Sequence, residues 1–185
     1  GAHGLDKLEN LLEELANAPG PTGFEGPVRR IVRRELTPLM DCLETDGLGS
    51  VIGHLRGTTE SPRLMIAAHM DEVGLMVKFV TPEGYLRVQS LGGWLDQALI
   101  NQRWIVVTRQ GLVRGVTGLK SVHIVPQEAR SQIGRREQLF LDVGASSKED
   151  AEVRLNIRPG DPVAPDSPFV PISQGKMFLG KAWDD

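Results

Sequence analysis

One cysteine, Cys42, stands in 185 residues, so no internal disulfide can form, and a reducing, cytoplasmic location is expected. Long apolar runs are missing too. The longest, "LMIAA" and "GLMVKFV", are far too short to cross a bilayer. The opening "GAHG" has no charged stretch leading into an apolar one, so it is not expected to be a secretory leader. Neither sign of charge dominates: 21 basic and 24 acidic residues are mixed along the chain, for a net charge of -3. Without a basic stripe, neither nucleic acid nor a membrane surface is expected as a partner. There is no G-x-S-x-G nucleophile motif and no P-loop. "GLGSVIG" has the glycines of a phosphate loop, but no helical pattern follows it.

Glycine and proline are plentiful, at 21 and 12, and they fall between short β-type runs. Leu5, Leu8, Leu11, Leu12 and Leu15 recur at helical spacing, which predicts an amphipathic helix with an acidic outer face. "PGPTGFEGP" breaks it. Val28, Ile31, Val32 and Leu36 form a second helical stripe, opened near Pro27 and ended by Pro38. "CLETDGLGSVIGHL" reads as two short strands around a turn, and "RLMIAA" as a strand covered on both faces. After Gly74 the runs "GLMVKFV", "GYLRVQSL", "RWIVVT", "LVRGVTGL" and "LFLDVG" alternate with turn signals, as in a small closed or half-closed barrel. "SSKEDAEVRL" reads as a helix capped by Ser146 or Ser147, and "RPGDPVAP" as a turn into an edge strand. The expected organisation is an α/β unit over 1–73, a β-rich insert over 74–165, and re-entry into the first unit over 166–185.

Two short motifs carry chemistry. In "AAHMDEVG" the apolar run ends in His69, with Asp71 two residues on. On a strand these two share a face, so Asp71 can accept from one imidazole nitrogen while the other binds a metal. The same residues could equally be a polar strand end with a satisfied histidine. In "KAWDD", Asp184 and Asp185 could bridge two metals or be a solvated acid pair. His54 is expected on an exposed strand and His123 in a loop. Cys42 has no basic helper near it in sequence, which argues against a nucleophile. Trp94, Trp104 and Trp183 are scattered and outline no aromatic platform.

Taken in order, "PGPTGFEGPVR", "AAHMDEVGLMV", "GVTGLKSVHIV", "LFLDVGASSKEDAEVRLNIRPGDPV" and "GKAWDD" resemble successive segments of one family. It is the M42 metallo-aminopeptidases, of tetrahedral (TET), deblocking and glutamyl types, and the likeness is to their N-terminal half. The combination of "HMDEVG" and "KAWDD" at this separation is specific. The resemblance implies a zinc-peptidase-like layered α/β catalytic domain with an inserted β-barrel-like domain. It implies removal of N-terminal residues from peptides by water activated between two divalent metals, zinc or cobalt. His69 would bind one metal, Asp71 would orient His69, and Asp184 would bridge the two through a cis peptide to Asp185. Assembly through the insert, from dimer to dodecamer, is implied as well.

The family's paired catalytic glutamates, a further acidic ligand and a late histidine have no counterpart in these 185 residues. Glu72 is adjacent to the motif but does not match the family's base, so no general base is nominated. The chain is therefore expected to be a piece of a longer enzyme and inactive alone. Two other functions stay in view: a non-catalytic oligomerisation module, and an endoglucanase-type glycan hydrolase. The second would use two spaced carboxyls without a metal, and the His-x-Asp motif argues against it.

Overall fold

The computed structural model describes residues 6–118 and 138–184. The chain divides into two compact units, Gly1–Asp71 with Phe169–Asp185, and Glu72–Pro168. The sequence placed these breaks after residues 73 and 165.

The first unit opens with α1 (Lys7–Asn17). Its start is fixed by reciprocal bonds: the Glu9 amide donates to Asp6 Oδ1 at 2.8 Å, and the Asp6 amide to Glu9 Oε2 at 2.9 Å. α2 (Gly26–Leu36) follows, with Pro27 in its first turn, where a missing N–H costs nothing. Arg34 grips Glu14 through Nη1 and Nη2, at 2.7 and 2.6 Å, and Ala16 and Ile31 are buried. β1 (Cys42–Thr45) and β2 (Val51–His54) form an antiparallel hairpin, with the Asp46 carboxylate accepting from the Leu48 and Ser50 amides inside the turn.

The run 63–68 departs from its expected form. No strand is formed there, and Leu64, Met65 and Ile66 are each 87% exposed. A continuous apolar run becomes a doubly covered strand only if neighbours pair with both edges and pack on both faces. Among the described residues nothing pairs with it. The return segment is a second hairpin, β9 (Val170–Ile172) with β10 (Met177–Leu179). Phe169 stacks on Phe178 with ring centroids 4.9 Å apart and lies 6.1 Å from Trp183. The Phe169 amide donates to Asn17 Oδ1 and Lys181 Nζ to the Ala18 carbonyl, which ties this segment to the end of α1.

The second unit is a closed antiparallel barrel in the order β3-β4-β7-β6-β5-β8. Its strands are β3 (Gly74–Val80), β4 (Leu86–Leu91), β5 (Arg103–Thr108), β6 (Gly111–Gly118), β7 (Phe140–Asp142) and β8 (Pro162–Pro165). Alternate residues such as Leu75 and Val77, and Trp104 and Val106, point into the core with Leu86, Leu141 and Val163. Trp94 and Trp104 meet edge to face with centroids 5.4 Å apart.

Two expectations need correction here. β8 is not an edge strand: it lies between β3 and β5, wholly buried, and closes the barrel. Its prolines are its first and last residues, so Val163 and Ala164 keep amides for the ladders. The helix expected over "SSKEDAEVRL" forms but is shorter, spanning 148–154, and it is π-type over Asp150–Arg154. Ser147 Oγ does accept the Asp150 amide at 3.1 Å, but Asn156 takes a left-handed φ of 53° and ends the turn.

One buried polar group organises the barrel interior. Thr117 Oγ1 accepts from Trp104 Nε1 at 3.1 Å and donates to the Leu99 carbonyl. Replacing Thr117 by Val keeps the shape and leaves a buried indole N–H without its acceptor. The expected loss is about 1–3 kcal/mol in unfolding free energy by urea titration, whereas an unchanged midpoint would show that the hydroxyl is dispensable.

Candidate metal centre

The chemistry-bearing residues of the first unit converge on His69. Its Nδ1 lies 2.9 Å from Asp71 Oδ1 and 2.9 Å from the Asp71 backbone carbonyl. Both neighbours only accept, so Nδ1 carries a ring proton, and in the neutral ring Nε2 is then the acceptor. Nε2 faces another acceptor, Asp184 Oδ1, at 3.5 Å. Two lone pairs at that distance repel unless a proton or a cation lies between them. A nitrogen and an oxygen on one tetrahedral zinc stand about 3.4 Å apart, given bonds of ~2.1 Å. The observed spacing therefore suits two donors of one divalent ion.

Each partner is held from a different part of the chain. Asp71 Oδ2 accepts the Thr22 hydroxyl at 2.5 Å. That bond first, and the His69 ring after it, keep the Asp71 carboxyl below its ordinary range against the opposing effect of burial. Asp184 is almost fully solvent-exposed. Its approach is set by the anchored neighbours Trp183 and Lys181, and by Ala182, whose left-handed φ of 57° costs roughly 1 kcal/mol.

His69, Asp71 and Asp184 are thus brought together. Asp185 and His123 lie outside the described residues. His54 is on β2 as expected and pairs instead with Glu44, its Nε2 3.0 Å from the carboxylate, while Cys42 is exposed on β1. Glu72 is buried at 8% exposure. Among the described residues no three His, Cys, Asp or Glu side chains form a group that could hold a metal. What the geometry offers is two donors of the four that a closed zinc site takes. Thr22 escaped the sequence reading. "PTGF" carries a turn signature, but nothing in sequence shows a hydroxyl meeting a carboxylate 49 residues away.

Residues 49–185 match the family model for the M42 glutamyl aminopeptidases. The chain belongs to the M42 peptidase family. The M42 glutamyl aminopeptidase of Lactococcus lactis subsp. cremoris (strain MG1363) is 34% identical over 98% of this chain and 50% of its own length. Among solved structures, the TET aminopeptidase of the marine sediment archaeon Thaumarchaeota archaeon SCGC AB-539-E09 superposes with a TM-score of 0.92. It is 41% identical, covering 97% of this chain and 50% of that one. The TET1 peptidase of Pyrococcus horikoshii, described as able to assemble into a tetrahedron or a large octahedral shell, gives 0.76 at 30% identity. That match covers 89% of this chain and 48% of the other. The chain spans about half the length of the M42 relatives it matches.

If Asp71 holds His69 for a metal, its removal weakens metal binding while the backbone carbonyl keeps part of the ring's support. Asp71→Ala is expected to lower cobalt affinity about tenfold, the mild end for loss of such a partner, by spectrophotometric titration. Equal affinity in the two proteins would rule the orienting role out.

Proposed function

We propose that this chain supplies part of the active site of a metal-dependent aminopeptidase that removes N-terminal residues from peptides. The observation that carries the reading is the tethered imidazole: Nδ1–H bound to Asp71, and Nε2 aimed at the Asp184 carboxylate 3.5 Å away. Membership of the M42 family supports the reaction class. His69 and Asp184 are the residues that would hold a divalent ion, zinc or cobalt, and Asp184 would be shared with a second. Such ions supply Lewis-acid polarisation of the scissile peptide carbonyl. This chain's own part is narrower. Asp71 keeps the proton on Nδ1, His69 presents a lone pair of fixed direction, and Asp184 supplies negative charge beside it.

The remaining donors and the general base belong to residues outside these 185, so the segment alone is inactive. The family's assemblies support a homo-oligomer, between dimer and dodecamer, with the barrel as the assembling unit. No helix among the described residues is long and apolar enough to cross a membrane. The glycan-hydrolase reading gains nothing from a histidine locked between two carboxylates, and the metal reading accounts for it.

The test compares this chain with one extended to the full length of its relatives. Hydrolysis of aminoacyl-nitroanilides is measured with added zinc or cobalt, then with a chelator. Activity is expected only in the extended protein, and the chelator abolishes it. Comparable turnover by the 185-residue chain, or chelator-insensitive turnover by the longer one, would refute the proposal.

A further inference from the structure

We infer that Thr22 is a positioning residue of the metal centre: its hydroxyl fixes the Asp71 carboxylate, and through it the tautomer and direction of the His69 ring. The inference rests on the metal reading above and adds a member to it.

The argument starts from the turn that carries Thr22. The Phe24 amide donates to the Pro21 carbonyl at 2.7 Å, closing a four-residue turn over Pro21–Phe24. Gly23, third in the turn, has φ 86°, the left-handed value a type II turn demands at that place. The turn is anchored at both ends. Pro21 is fully buried, and the Gly23 amide donates to Glu25 Oε1 at 2.6 Å, just ahead of α2. Gly20 lets the loop pack closely on α2, since a β-carbon there would stand 2.8 Å from Val28 Cγ2, and the Met70 carbonyl lies at ordinary contact distance, 3.5 Å, from the same point. Thr22 is thus delivered to Asp71 by rigid backbone, although its own side chain is exposed.

The carboxylate then has two oxygens with two different partners. Oδ2 takes the Thr22 hydroxyl at 2.5 Å and Oδ1 faces His69 Nδ1 at 2.9 Å. A carboxylate held by one bond can turn about its Cβ–Cγ axis. Held by two, it presents Oδ1 to the ring in one orientation. An ionised carboxylate can only accept, so the ring must donate from Nδ1 and keep its lone pair on Nε2, toward Asp184. The hydroxyl of Thr22 therefore acts on His69 without touching it.

Thr22→Val removes the hydroxyl at constant shape, and Thr22→Ser restores it. In the metal-free chain, at a pH above the end of the ring's own titration followed by NMR, the ring nitrogen shifts of His69 report the tautomer. The wild type and Thr22→Ser are expected to show a larger share of the Nδ1-protonated tautomer than Thr22→Val, in which the Asp71 backbone carbonyl by itself still favours it firmly. Cobalt affinity is expected to fall about two- to fivefold in Thr22→Val, within the roughly tenfold lost with Asp71. In the Asp71→Ala background, Thr22→Val should change nothing further, because the hydroxyl then has no carboxylate to fix. A merely structural residue would not lose its effect in that way. Unchanged tautomer and affinity in Thr22→Val, failure of Thr22→Ser to restore them, or an additive double variant would each overturn the inference. His69→Ala separates this from the metal reading: undiminished cobalt binding there would sink that reading, while the tautomer measurement would still decide the role of Thr22.

Discussion

The hydrogen bond from His69 Nδ1 to Asp71 decides what every other group at this site can do. With a proton held on Nδ1, the neutral ring has its lone pair on Nε2, the nitrogen 3.5 Å from the carboxylate of Asp184. Reversing the tautomer would turn the same contact into an ordinary hydrogen bond. The surrounding structure serves that one choice. A buried proline and a left-handed glycine hold Thr22 against Asp71. Lys181, Trp183 and the strained Ala182 bring Asp184 to the opposite nitrogen. These contributions come from three stretches of sequence within one unit, so the arrangement exists only when that unit is folded.

The barrel answers a different requirement. Its six short strands close only because β8, framed by Pro162 and Pro165, completes the ladders of both β3 and β5. Closure removes the free edges that short strands would otherwise expose. The buried Thr117 hydroxyl, bonded to Trp104 and Leu99, shows how the interior accommodates an indole without stranding its N–H.

Much of this was legible in the residues. The leucine period over Leu5–Leu15 marked α1, and the five β-type runs after Gly74 each became a strand of the barrel. His69 and Asp71 could be paired because a two-residue spacing is local. What escaped notice was non-local. The Thr22–Asp71 bond joins residues 49 apart. The prolines of β8 signalled an edge because their lost amides are a local fact, whereas their harmless placement at the strand's two ends is a property of register. The apolar run Leu64–Ala68 is the clearest case. Its composition predicts burial, but burial needs a partner, and the described residues supply none.

The central claim is that His69 and Asp184 share a divalent cation. X-ray absorption at the cobalt edge of the cobalt-loaded chain tests it most directly, because imidazole leaves a distinctive outer-shell signal. The account predicts one histidine nitrogen at about 2.1 Å in a shell otherwise of oxygen, lost in His69→Ala. A shell of oxygen alone in the wild type, or one that His69→Ala leaves unaltered, would contradict it.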